Sequence, residues 1–180
     1  KHRRRQRQMC IRDSLKDNLN NNDFLIFDSR CDIKDSGYGI DSYTEGHIPN
    51  SIFVDVDTDL ASEKRPGTGR HPLPDPNTFS EKLSHWGMSN NKQVVVYDDA
   101  GGAFAGRLWW MLKWLGHEAV AVLDGGLNSW VKGGNKLVTT PTVFEKAHFE
   151  PSVQENMIAT VDDVEEAQFK MNTILLDARS

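Results

Sequence analysis

Cysteine is scarce in this chain: its 180 residues include two, Cys10 and Cys31. Two thiols in such different surroundings supply neither a disulfide framework nor a zinc cage, which needs several ligands at regular spacing. No metal and no cofactor is expected. Long apolar runs are missing as well. Nothing approaches the roughly 18 to 20 apolar residues of a membrane span, and no signal-peptide core follows the basic start. The reading is a soluble protein of a reducing compartment, cytoplasmic or alternatively mitochondrial, with no membrane partner. Positive charge is sparse outside the first dozen positions, where Lys1, Arg3, Arg4, Arg5, Arg7 and Arg12 crowd together, and the net charge is −5. An acidic body excludes a nucleic-acid surface, because short basic runs alone are usually solvated. Residues 1–14 open without Met and lack apolar periodicity. They are expected to be a non-native or disordered basic tail, such as translated adaptor sequence.

With 38% hydrophobic and 26% charged residues, the chain is long enough for one ordinary domain plus something extra. A short helix is expected around Leu15 to Asn20, then a buried strand Phe24-Leu25-Ile26-Phe27 ending in Asp28-Ser29-Arg30. A polar loop rich in Gly, Asp and Ser follows. Ile52 to Val56 reads as a second strand, Pro66 to Pro76 as irregular coil, and Asn77 to Trp86 as a helix. Strands at Val94 and at Ala119 to Leu123 then alternate with a helix through Lys113 and with one opening at Gly125-Gly126. Such alternation predicts an α/β fold with a mostly parallel sheet flanked on both faces by helices.

The stretch from Gln93 to Trp110 concentrates the chemistry. An apolar strand runs into Asp98-Asp99-Ala100-Gly101-Gly102, and a helix opens near Arg107-Leu108-Trp109-Trp110. Small residues let the backbone curl, so that loop amides and the helix N-terminus converge on one point suited to an anion. A cysteine there would be a catalytic thiolate. Asp98 stands in its place, and neither cysteine lies in the loop.

The C-terminal part has a different character. Residues 135–157 lack periodicity and read as a linker. From 158 to 180 an acidic amphipathic helix, Val161 to Lys170, precedes Ile174-Leu175-Leu176-Asp177-Ala178-Arg179, which mirrors Ile26 to Arg30. This segment reads as the truncated start of a second copy of the 15–134 domain.

Three motifs carry a resemblance: Tyr43-Thr44-Glu45-Gly46-His47-Ile48-Pro49, Arg107-Leu108-Trp109-Trp110-Met111, and Leu123-Asp124-Gly125-Gly126-Leu127 followed by Trp130. Together they resemble the rhodanese-type sulfurtransferases, in particular the two-domain thiosulfate and 3-mercaptopyruvate enzymes. The resemblance implies a three-layer rhodanese-like domain. It also implies a small sulfur donor (thiosulfate or 3-mercaptopyruvate), a thiophilic acceptor, and a catalytic cysteine that carries sulfane sulfur as a persulfide. That cysteine would sit in the chain's own second domain, and 15–134 would be a non-catalytic first domain, inactive as given. The family usually has Gly-Ala where this chain has Asn50-Ser51. Asp98, Asp99, Ala100, Gly101, Gly102 and Arg107 then form a degenerate active-site loop.

Alternatives stand beside these readings. Asp98 either caps the following amides or joins Asp99 as a magnesium or phosphoryl-acceptor pair. His47 is either a proton donor or substrate-positioning group at an interdomain cleft, or a structural residue bonding loop backbone or Asp28. Cys31 reads as a bystander, since Asp28, Asp32 and Asp35 would raise its pKa. The function is either the inactive half of a sulfurtransferase or a non-catalytic rhodanese-like binding or regulatory module.

Overall fold

The computed structural model describes residues 12–176. Four strands, β1 (Phe24–Asp28), β2 (Ser51–Phe53), β3 (Gln93–Tyr97) and β4 (Val120–Val122), form one sheet in the order β2-β1-β3-β4, every pair parallel. Successive side chains of a strand point to opposite faces, so the continuous apolar runs of β1 and β3 feed two cores. On one face Leu25, Phe27, Val94 and Val96 pack with Phe79, Leu83, Leu108, Met111 and Leu112. These come from α3 (Pro76–His85) and α4 (Ala105–Trp114). On the other face Ile26, Val95 and Tyr97 meet Leu15, Leu127 and Trp130, from α1 (Arg12–Asp17) and α5 (Gly126–Lys132). The result is a three-layer α/β domain with a parallel sheet between helices, as expected. Parallel strands buried on both faces explain why these segments read as unbroken apolar runs rather than alternating ones.

Two elements differ from expectation. The polar loop after β1 contains α2, Tyr38–Glu45. Gly, Asp and Ser lower its intrinsic helix propensity. Burial of Gly39 and Tyr43 supplies what propensity lacks: a Cβ on Gly39 would lie 2.4 Å from the Arg30 carbonyl oxygen. The second strand ends at Phe53 rather than Val56, although Val54 N still donates to Asp28 O at 2.9 Å.

Residues 135–157 contain no α-helix or ladder strand, only an isolated bridge at Val138 and a 3₁₀ turn, Glu155–Met157. They run as a strap along the domain. Ala147 N and Phe149 N donate to Ser84, Ser152 N donates to Leu115 O, and Phe149 is 3% exposed. Beyond the strap, α6 (Val161–Ala167) carries a capping box between Thr160 and Asp163. Residues 174–176 form no strand and are exposed, because neither sheet edge pairs with them. The expected strand residues Asp177, Ala178 and Arg179 lie outside the described residues, as do Cys10 and most of the basic tail. No helix among the described residues is long and apolar enough to cross a membrane.

Candidate functional site

The site lies at the C-terminal end of β3. After Tyr97 the chain turns through Gly101 (φ 72°) and Gly102 (φ 92°), left-handed conformations that favour glycine. It then enters α4 at Ala105. The Asp98 carboxylate occupies the centre of this turn. Oδ1 accepts from Ala100 N (3.0 Å) and Gly102 N (2.8 Å), and Oδ2 accepts from Phe104 N and Ala105 N (both 2.9 Å). Asp98 is 1% exposed. The amide cradle is therefore filled by the chain's own carboxylate. The Leu123 to Leu127 motif backs it: Leu127 N donates to Asp98 O at 2.8 Å, and a Cβ on Gly126 would lie 2.2 Å from that same oxygen. Glycine at 126 is thus required both by its φ of 55° and by the approach of the loop.

Asp99 does not converge with Asp98. Its Oδ2 accepts from the Tyr38 hydroxyl at 2.5 Å, and this bond, ahead of burial, raises the phenol's pKa. With one carboxylate saturated by amides and the other bonded to a phenol, the pair offers no shared oxygen cage for a cation. Above the loop opens a cavity of about 510 Å³, lined by Cys31, Tyr38, Asp99, Ala100, Phe104 and Asn128 among others. Burial pushes the Cys31 thiol up, and the charges of Asp57, Asp55 and Asp32 add to it. These carboxylates only partly overlap the set expected from sequence. The Cys31 thiol has the electrostatics of a resting thiol rather than of a nucleophile. A larger cavity, about 610 Å³, lies at the opposite end of the sheet, between residues 19–24 and 142–147. It contains no residue of the 98–107 loop.

Arg107 lies in the first turn of α4 but points away from the cradle. Its Nε and Nη2 donate to Leu60 O (3.1 and 2.6 Å), and Nη2 also donates to His71 O at 2.9 Å, clamping the proline-rich loop. His47 is 0% exposed. Its Nδ1 lies 2.7 Å from Tyr43 O and its Nε2 3.1 Å from Thr140 O. Backbone carbonyls are thus its partners, and Asp28 is taken by others. Arg30 holds Asp28 through Nε (3.1 and 3.0 Å) and Nη2 (2.7 Å), and the Tyr97 hydroxyl donates to Asp28 Oδ2 at 2.7 Å. Burial alone would lower the Arg30 pKa, but the hydrogen bond and charge of Asp28 outweigh it and the net shift is upward. Burial, then the Asp28 charge, pushes the Tyr97 phenol well up. Tyr38, Phe104 and Asn128 are the site residues missed in the sequence. Tyr38 was hidden by the unrecognised α2, and the other two carry no local chemical signal.

The Rhodanese-like domain family matches residues 12–133. The chain is 38% identical over 175 residues to a probable 3-mercaptopyruvate sulfurtransferase of Pseudomonas aeruginosa, covering 96% of this chain and 62% of that protein. It is 33% identical over 142 residues to thiosulfate sulfurtransferase of Rattus norvegicus, covering 77% of this chain and 46% of that protein. Among solved structures, the 3-mercaptopyruvate sulfotransferase SseA of Escherichia coli superposes with a TM-score of 0.79 at 27% identity, over 89% of this chain and 62% of that one. The 3-mercaptopyruvate sulfurtransferase of Leishmania major gives 0.74 at 30% identity, over 82% and 42%. The chain therefore spans about two-fifths to three-fifths of the length of these relatives. A parallel sheet in this order, a strand–loop–helix cradle at its C-terminal edge and a family match over most of the domain lead to one assignment: this chain belongs to the rhodanese family.

Proposed function

We propose that residues 15–134 are the non-catalytic first domain of a thiosulfate or 3-mercaptopyruvate sulfurtransferase, and that residues 158–180 open its second, catalytic domain. The observation that carries this reading is the Asp98 carboxylate, which fills all four amides of the cradle in which the family's catalytic domains hold a cysteine. A carboxylate in that position accepts the hydrogen bonds but has no sulfur to receive sulfane sulfur. The identity to the Pseudomonas aeruginosa relative extends over 175 residues, well past residue 133, which supports continuation into a second unit. In the full protein the partners are a small sulfur donor, a thiophilic acceptor and the chain's own second domain. The cysteine persulfide that carries sulfur between them belongs to that domain.

Incubation with thiosulfate or with 3-mercaptopyruvate, followed by peptide mass mapping, is expected to leave Cys10 and Cys31 unmodified. A one-sulfur adduct on either residue refutes the inactive reading. Sequencing the source reading frame beyond Ser180 separates the two classes of function. A second Gly-His-Ile-Pro-like motif followed by a cysteine-bearing loop is expected. A stop soon after Ser180, or a loop again without cysteine, favours the second reading. That reading is a binding module using the 510 Å³ cavity between Tyr38 and Asn128 without turnover.

A further inference from the structure

Both ring nitrogens of His47 face carbonyl oxygens, Tyr43 O at 2.7 Å and Thr140 O at 3.1 Å. A carbonyl oxygen only accepts, and a neutral imidazole has one N–H. A neutral ring therefore turns a lone pair toward an oxygen in a fully buried position, where an unmade hydrogen bond is costly. A doubly protonated ring donates to both. Two neighbours suit that cation. Tyr43 O lies in the last turn of α2, which has no basic residue there, and the C-terminal end of a helix attracts positive charge. The Tyr43 ring stacks on the imidazole with centroids 3.8 Å apart and planes 9° apart, presenting its electron-rich face.

The other ionisable groups joined to this corner are Arg30, which donates to Gly46 O; Asp28, which pairs with Arg30; and Tyr97, which accepts from Ile48 N. Residues 138–142 of the strap contribute none, being Val-Thr-Thr-Pro-Thr, and the nearest ionisable strap residue in sequence is Lys136.

We propose that His47 is a proton-operated latch that fastens the strap at residues 138–142 to the C-terminal end of α2. In the neutral ring the single proton stays on Nδ1, which makes the shorter contact, to Tyr43 O. A second proton, taken from water as the pH falls, enters at Nε2 and converts the approach to Thr140 O from lone-pair repulsion into a charge-assisted hydrogen bond. Nothing is oxidised or reduced. The latch sits beside the bridge in which His47 and Val138 exchange two backbone hydrogen bonds of 2.9 Å, and those amides report its state. It does not depend on the sulfur chemistry proposed above.

Hydrogen exchange of the Val138 and His47 amides, followed by NMR at about pH 5.5 and about pH 8 and corrected for intrinsic rates, tests the latch. Protection is expected to be about tenfold greater at the lower pH. His47→Asn, whose amide has one donor nitrogen and gains no proton in this pH range, is expected to abolish the difference, whereas His117→Gln is expected to retain it. Equal protection at both pH values, or an unchanged pH response in His47→Asn, overturns the proposal. Should His47→Asn fail to fold, nitrogen-15 spectra of the wild-type ring decide. Passage from one protonated nitrogen to two as the pH falls supports the latch, and a single protonation state throughout refutes it.

Discussion

Asp98 shows how much one residue organises. Four amides point at its two oxygens, and removing the buried carboxylate leaves them without their acceptors beneath a half-exposed loop. Unmet buried donors cost more than the net gain of the bonds themselves. Asp98→Ala is accordingly expected to lower unfolding stability by about 2–3 kcal/mol, measured by urea denaturation. Asp98→Asn keeps one carbonyl oxygen for one pair of amides but turns its NH2 donors against the other pair, and is expected to lose a comparable amount. A loss below about 0.5 kcal/mol for the alanine variant would show that water replaces the carboxylate freely. Asn50 makes a related point at the other end of the motif. It adopts φ 63°, a conformation that favours glycine, and its side chain donates to Leu19 O at 2.7 Å. Asparagine tolerates that region better than most residues, which explains how the chain departs from the family's Gly-Ala without rebuilding the turn.

At the scale of elements, the strap is the part whose role exceeds its lack of regular structure. Phe149 is buried against the first core cluster and meets His117 edge-on, with ring centroids 6.0 Å apart. Two glycines mark where its backbone presses on the domain. A Cβ on Gly116 would lie 2.5 Å from Ser152 O, and one on Gly87 would lie 2.7 Å from the Phe144 side chain. Phe149→Ala is expected to destabilise the protein by about 3–4 kcal/mol. A free tether would lose less than about 1 kcal/mol, and urea unfolding distinguishes the two. The same principle accounts for α2, where burial of Tyr43 and close packing of Gly39 hold a helix that its composition disfavours.

For the whole molecule, the pH dependence of stability has an identifiable contributor. Burial lowers the pKa of His117 below the ordinary value of 6.5, against weaker opposing effects of the Ala119 and Lys92 carbonyls. Folding therefore disfavours its protonation. The contribution is fully present above about pH 6.5, where the unfolded imidazole is also neutral, and is lost as the pH falls through the folded value. Between about pH 7.5 and about pH 5.5 His117 acts to lower the urea midpoint, opposite in sign to the latch at His47, and His117→Gln is expected to remove that component of the slope. An identical slope in the variant would assign the acid sensitivity to other groups.

What the sequence by itself determined is local. Unbroken apolar runs specified β1 and β3, since parallel strands buried on both faces need apolar residues at every position. A glycine pair after a strand and before a helix placed Asp98 within reach of amides two to seven residues away. Neighbours on the chain must meet whatever the rest of the fold does. Only the tertiary structure decided the contacts between distant segments. His47 meets Thr140, 93 positions on; Tyr38 meets Asp99, 61 positions on; and Arg107 reaches back 47 positions to Leu60. No periodicity encodes such pairs. They arise because parallel strands require long crossovers, which bring loops far apart in the chain to the same edge of the sheet.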